Sequence, residues 1–176
     1  MKRFLFSLPM VLLAVSPKIA NAQIPAAKDV VVSAAYTSFE PIARGKAFQI
    51  AVVLKIRDGY HINARKPTLD YLIPTDLKVE LPAGFKAGDV TYPDGTLKSF
   101  SFSKTEKLNV YTGTVILRLN VTAPADGPLG AQHIPLKLRY QACSDSVCLP
   151  PVRQDVDTAF TLGPTAKPAH SEFFSK

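Results

Sequence analysis

The sequence contains no tryptophan, and its two methionines, Met1 and Met10, both fall within the first ten residues. Beyond them no thioether is left to build the Met-rich sites that select Cu(I). Lysines and arginines outnumber acids 21 to 14, yet they form no basic block and no arginine-rich helix. That scatter excludes a nucleic-acid-binding reading. There is no Gly-x-Ser-x-Gly elbow, no His-Glu-x-x-His and no phosphate-cradling glycine loop, which excludes the corresponding hydrolase, zinc-protease and nucleotide sites. The only histidines are His61, His133 and His170, none at ligand spacing from a cysteine. A structural zinc site wants four ligands, so no metal site is expected. Apart from the first residues, no apolar run approaches the roughly 20 needed for a membrane helix.

The N-terminus carries the first positive signal. Lys2 and Arg3 precede a stretch from Phe4 to Val15 that is apolar apart from Ser7 and Pro9, and Ala20-Asn21-Ala22 supplies a small-x-small cleavage pattern. The apolar stretch is about 12 residues, too short for a bilayer span. Residues 1–22 are therefore expected to be a cleaved secretory signal, with no lipobox cysteine behind it. Losing Lys2, Arg3 and Lys18 lowers the formal net charge of +7 by three, to +4. The mature chain is expected to be exported, with no membrane insertion. It should form one domain over residues 23–163, followed by a flexible tail over 164–176.

The mature sequence reads as strands between turns. Val30 to Tyr36 is rich in β-branched residues; Phe48, Ile50, Val52, Leu54 and Ile56 alternate as a half-buried strand should. Tyr60 to Asn63 follows the Asp58-Gly59 turn signal. Alternation returns at Leu77, Val79 and Leu81, then at Val115, Leu117, Leu119 and Val121. It returns again at Ile134, Leu136, Leu138 and Tyr140, and Val156 to Leu162 is expected to close the domain. Short strands at this spacing predict an all-β sandwich. Fifteen prolines fit edge strands and loops and weigh against central helices. Pro93 to Lys107, opened by Asp94-Gly95 and holding Phe100 and Phe102 among polar residues, is expected to be a long, partly ordered loop.

Chemistry has one obvious place to sit. Cys143 and Cys148 are the only cysteines, and an even pair this close in an oxidising compartment predicts a disulfide. Two uses are open. A static staple closing so short a loop is worth about 2 kcal/mol by chain entropy, which a sandwich of this size does not need in order to fold. The other use is thiol–disulfide exchange. A soft metal between the thiolates is a third possibility, opposed by the missing ligands. Asp145, inside the cysteine turn, is a natural turn residue and also a charge able to raise a neighbouring thiol's pKa. Spacing alone does not choose.

The run Tyr140-Gln141-Ala142-Cys143, continuing through Cys148-Leu149-Pro150-Pro151-Val152, resembles the N-terminal periplasmic domain of the DsbD-type thiol:disulfide interchange proteins, the disulfide bond corrector family. Gly59-Tyr60-His61-Ile62-Asn63, Leu72-Ile73-Pro74-Thr75 and Tyr111-Thr112-Gly113 are similar to other strands of that family. The resemblance spans about residues 30–162. It implies an immunoglobulin-like sandwich in the periplasm, acting as a protein thiol–disulfide oxidoreductase with no cofactor beyond its disulfide. It further implies that Cys148 forms mixed disulfides, that Cys143 resolves them, and that a cap loop, here with Phe100 or Phe102, shields the pair. His61 would be structural. Electrons would come from a thioredoxin-like domain of a membrane reductase. They would pass to thioredoxin-fold acceptors such as a disulfide isomerase or a cytochrome c maturation thiol carrier. The membrane and thioredoxin-like parts of the full-length family protein have no counterpart in this sequence, so electrons are expected to arrive from another chain or not at all. The stretch from Pro93 to Lys107 also lacks the compact acidic-aromatic-glycine cap of the family. The competing expectation is an exported binding or assembly module whose disulfide is purely structural.

Overall fold

The computed structural model describes residues 24–174, so the predicted signal at 1–22 lies outside the described residues. In chain order the first strands are β1 (Val31–Thr37), β2 (Ile42–Ala43), β3 (Ala47–Ile56), β4 (His61–Asn63), β5 (Asp76–Val79), β6 (Lys86–Ala87) and β7 (Thr96–Phe100). They continue with β8 (Ser103–Tyr111), β9 (Thr114–Thr122), β10 (Gly130–His133), β11 (Leu136–Tyr140), β12 (Ala142–Cys143), β13 (Val152–Val156) and β14 (Ala159–Gly163). Among the described residues there is no α-helix, only single 3-10 turns at Ala27–Asp29 and Ser171–Phe173.

Hydrogen bonding groups the strands as β1-β3-β9-β6, β13-β11-β5, β12-β4-β8-β7 and β10-β14-β2. All but one of these pairings are antiparallel; β14 runs parallel to β2. The alternation in sequence sets which face turns inward. On β9 Val115, Leu117, Leu119 and Val121 are buried, while Thr114, Asn120 and Thr122 face solvent. On β11 Leu136, Leu138 and Tyr140 are buried and Lys137 is exposed. These inward rows meet Val52 and Leu54 of β3 and Leu77 of β5 in one continuous core. Phe48, Phe85 and Phe160 close one end of it, with ring centroids 5.6 Å and 6.0 Å apart. The result is the immunoglobulin-like β-sandwich, folded as a single domain.

Three sequence expectations need correction. Pro93 to Lys107 is mostly a hairpin, β7 against β8, and not a loop. Its tip, Ser101-Phe102, carries none of the glycine or asparagine that marks a two-residue hairpin turn, so the turn gave no signal. Gly95, taken as a loop opener, serves close approach instead. A Cβ there would run into the Asn109 side chain and the Ala64 methyl group.

The second correction concerns Val156 to Leu162, which is two strands. The chain breaks at Asp157-Thr158, where the buried Thr158 hydroxyl donates to the Ile134 carbonyl. The third is the tail beyond Gly163, expected to be flexible but held along Ser38–Pro41. The Glu40 amide donates to the Lys167 carbonyl (2.8 Å), Lys167 to Pro41 (3.1 Å) and Ala169 to Ser38 (3.0 Å). Phe173 then stacks on Tyr36 at 4.5 Å, and Arg118 Nε donates to the Phe173 carbonyl. Tyr36, Ala51 and Arg118 form one cross-strand row, and Ala51 in its middle is fully buried.

Leu138 is fully enclosed, so Leu138→Ala should cost about 2–5 kcal/mol through lost burial and the cavity left behind. The neighbouring exposed Lys137→Ala should stay within about 0.5 kcal/mol. Urea unfolding of both variants measures the contrast.

Candidate functional site

The cysteines lie where two strands end in one tight turn. The Leu149 amide donates to the Ala142 carbonyl and the Ser144 amide to the Val147 carbonyl, both at 2.8 Å. These bonds flank Cys143 and Cys148, which makes the cysteines a pair without hydrogen bonds of their own. Such pairs bring the backbones and side chains closest in an antiparallel ladder. The Cα atoms are 4.0 Å apart and the sulfurs are bonded. Inside the turn, Ser144 Oγ accepts from the amides of Ser146 (3.3 Å) and Val147 (3.2 Å), so the polar turn sequence holds itself together.

The two cysteines are not equivalent. Cys143 sits within β12 and is only 2% exposed. Cys148 lies on the outer limb of the turn and is exposed. A partner's sulfur can therefore approach from the Cys148 side.

On its other side Cys143 pairs with His61 of β4, and Ala142 pairs with Ile62. Directly opposed residues project from the same face of a sheet. His61, Cys143 and Cys148 thus form a row across three adjacent strand segments. β4 pairs in turn with β8, through Ile62–Tyr111 and Asn63–Val110, and β8 pairs with β7. This succession carries the β7–β8 tip back over the site. The Phe100 ring lies on the His61 imidazole at 4.0 Å with a 22° tilt, and Phe102 stacks on Phe100 at 5.4 Å. Ser101 Oγ donates to the Asp145 carbonyl at 2.7 Å, tying the tip to the cysteine turn. Phe102 itself is 46% exposed.

Segments that carried the family resemblance meet here. Asn63 Nδ2 donates to the Ile73 carbonyl (3.0 Å) and the Thr75 hydroxyl to the Asn63 carbonyl (2.6 Å), fastening Leu72–Thr75 beneath β4. Tyr140, at the start of the cysteine motif, is buried; its hydroxyl meets the Ala27 carbonyl (3.3 Å) and Gln154 (3.4 Å).

The family described as thiol:disulfide interchange protein DsbD, N-terminal, matches residues 28–159. The chain belongs to this family. Among solved structures, it is similar to the reduced DsbD N-terminal domain of Neisseria meningitidis. That likeness has 21% identity and a TM-score of 0.47, covering 82% of this chain and 98% of that one. The DsbD N-terminal domain in complex with the PilB N-terminal domain from the same organism is similar at 22% identity and a TM-score of 0.49, covering 82% and 95%. The N-terminal periplasmic domain of ScsB from Proteus mirabilis follows at 13% identity and a TM-score of 0.47, covering 81% and 50%. Comparison with curated proteins returns no match.

This DsbD-type domain carries its disulfide beside a histidine in an unusual state. His61 is 3% exposed, and its Nε2 has no hydrogen-bond partner among the described residues. Burial pushes its pKa down from 6.5 to about 4, against the attraction of Asp145 and with the repulsion of Lys98. The imidazole is therefore neutral at pH 7. A cleft of about 290 Å³ opens beside it, lined by Arg57, Asp58, Lys98, Phe100 and Asp145. Among the described residues no three His, Cys, Asp or Glu side chains come together as metal ligands. No helix there is long and apolar enough to cross a membrane.

The structure thus brings Cys143, Cys148, Phe100 and Phe102 to one end of the domain. It adds His61, Ser101 and Asp145, whose joint placement sequence reasoning did not foresee. The signal for His61 was its place in the Gly59–Asn63 segment, and the signal for Ser101 was hidden in a turn without glycine. Because the folded-state pKa of His61 lies below the unfolded value, the unfolded chain binds more protons between pH 6.5 and 4. Stability should fall as pH drops through that window, by up to about 1.4 kcal/mol per pH unit. Urea titrations at pH 7, 6 and 5 should show this slope for the native domain, and His61→Phe should flatten it.

Proposed function

We propose that the domain relays electrons between thioredoxin-fold proteins of the periplasm through Cys143 and Cys148, as a protein thiol–disulfide oxidoreductase. The observation that carries this reading is the asymmetry of the pair: Cys148 is exposed and Cys143 is 2% exposed. Exchange needs one sulfur open to a partner's thiolate and a second held in reach to complete the reaction. A purely structural staple needs neither.

The steps follow from that geometry. A donor thiolate attacks Cys148 Sγ; the Cys143–Cys148 bond breaks, and Cys143 leaves with the electron pair and takes a proton from solvent. The donor's second thiolate then attacks the donor sulfur of the mixed disulfide. Cys148 is released, and the donor is left oxidised. In the second half, the Cys148 thiolate attacks an acceptor disulfide. Cys143, deprotonated, attacks Cys148 Sγ, restores the intramolecular bond and frees the reduced acceptor. The donor fits a thioredoxin-like domain of a membrane reductase. The acceptor fits a disulfide isomerase or a cytochrome c maturation thiol carrier. The DsbD N-terminal domain solved with the PilB N-terminal domain supports a protein partner for this chain as well.

Phe100 and Phe102, on a tip anchored by the Ser101–Asp145 hydrogen bond, suit a cap that limits contact with small oxidants until a partner displaces it. The reduced Phe100→Ala domain should then be reoxidised several-fold faster by glutathione disulfide. An unchanged rate would remove the cap from the scheme.

The role assignment is tested by trapping. Cys143→Ala should accumulate a covalent complex through Cys148 with a thioredoxin-fold acceptor, whereas Cys148→Ala should accumulate little. Equal trapping by the two variants would overturn the assignment. The reduction potential of the pair should fall between about −270 and −120 mV, the span of thioredoxin-type partners. A value well below about −300 mV would mark a static disulfide. Replacing both cysteines should cost only about 2 kcal/mol and leave the domain folded, as circular dichroism and urea unfolding would report.

A further inference from the structure

The oxidised domain holds a buried nitrogen that the disulfide cannot satisfy. His61 Nε2 is enclosed and without a partner among the described residues, beneath the Phe100 ring. A buried polar atom left in that condition is destabilising, and native structures keep few of them. The residue opposite His61 across the β4–β12 ladder is Cys143. Facing pairs of this kind have Cβ atoms roughly 4.5–5.5 Å apart on one face of the sheet. As half of a disulfide, Cys143 Sγ has no proton to offer. As a thiol it becomes a donor.

We propose that His61 is a positioning residue for the reduced pair, its Nε2 accepting a hydrogen bond from the Cys143 thiol, so that the imidazole favours the dithiol over the disulfide. Reduction takes two electrons and two protons from a dithiol reagent, which becomes a disulfide. The Cys143–Cys148 bond breaks, and each sulfur ends as a thiol. Only then does Nε2 gain its partner, and the proton of the neutral ring sits on Nδ1. The same bond holds the Cys143 sulfur beside β4 while Cys148, at the surface, meets a partner. The charged groups around the imidazole are Asp145 of the cysteine turn, Lys98 of β7, and Arg57 and Asp58 before β4. None of them is hydrogen-bonded to Nε2, which leaves the thiol as the donor within the row.

This inference rests on the reading of the pair as one that is reduced and reoxidised, and the experiment separates the two. His61→Phe keeps an aromatic ring to stack on Phe100 and removes the acceptor. Native domain and variant are equilibrated in dithiothreitol buffers, and the thiol–disulfide ratio is read by alkylation mass shift. The variant should favour the disulfide about tenfold more, equivalent to a potential about 30 mV lower. An equilibrium constant within twofold of the native one would overturn the proposal. A second readout does not depend on the variant folding. In nitrogen-15 spectra of the native domain, the His61 Nε2 resonance should move to a hydrogen-bonded acceptor position on reduction. A resonance indifferent to redox state would likewise overturn it, since a merely structural imidazole would behave that way. The relay reading fails on a different result, a native pair that exchanges with no thioredoxin-fold protein.

Discussion

The site hangs on one short ladder, the pairing of β12 with β4. Two residues of β12 are enough to place Cys143 beside His61, because opposed residues in an antiparallel pair share a face. β4 is only three residues long, yet it joins β12 to β8 and, through the β7–β8 hairpin, to the aromatic tip over the cysteines. If that pairing slipped by one residue, the row of His61, Cys143 and Cys148 would turn to opposite faces. The slip is opposed by Ile62 and Ala142, which pair with each other and lie fully in the core. The redox pair is thus set by the hydrophobic register beneath it.

That dependence explains how the disulfide can be free to exchange. A loop this short contributes little chain entropy, and the core formed by β3, β9, β11 and their neighbours carries the stability. What the turn supplies is asymmetry: its inner limb belongs to the sheet and buries Cys143, and its outer limb leaves the sheet and exposes Cys148. The self-bonded Ser144 turn and the Ser101 contact hold this arrangement at a domain edge, where the charged cleft of Arg57, Lys98 and Asp145 begins.

Against this well-satisfied framework His61 stands out. Among the described residues the other buried polar side chains are paired: Thr37 with Phe39, Asn63 with Ile73, Thr75 with Asn63 and Thr158 with Ile134. A local exception of this sort belongs at a functional site, where optimal packing of one state yields to the needs of another. Here the other state is the dithiol.

The sequence by itself determined the sandwich, because alternation on β3, β9 and β11 specifies a buried face without reference to distant residues. It determined the pair of cysteines and, through the residues around them, the family. It did not reveal the β7–β8 hairpin, whose Ser101-Phe102 tip lacks turn residues and whose stability comes from pairing and from stacking on His61. Nor did it reveal the docked tail, since the hydrogen bonds of Lys167 and Ala169 go to residues more than a hundred positions earlier. The family resemblance implied unequal roles for Cys143 and Cys148, but the burial of one and the exposure of the other, and the place of His61 beside them, were decided only by tertiary structure. Burial and cross-strand neighbours are properties of pairing between segments remote in sequence, and no local pattern records them.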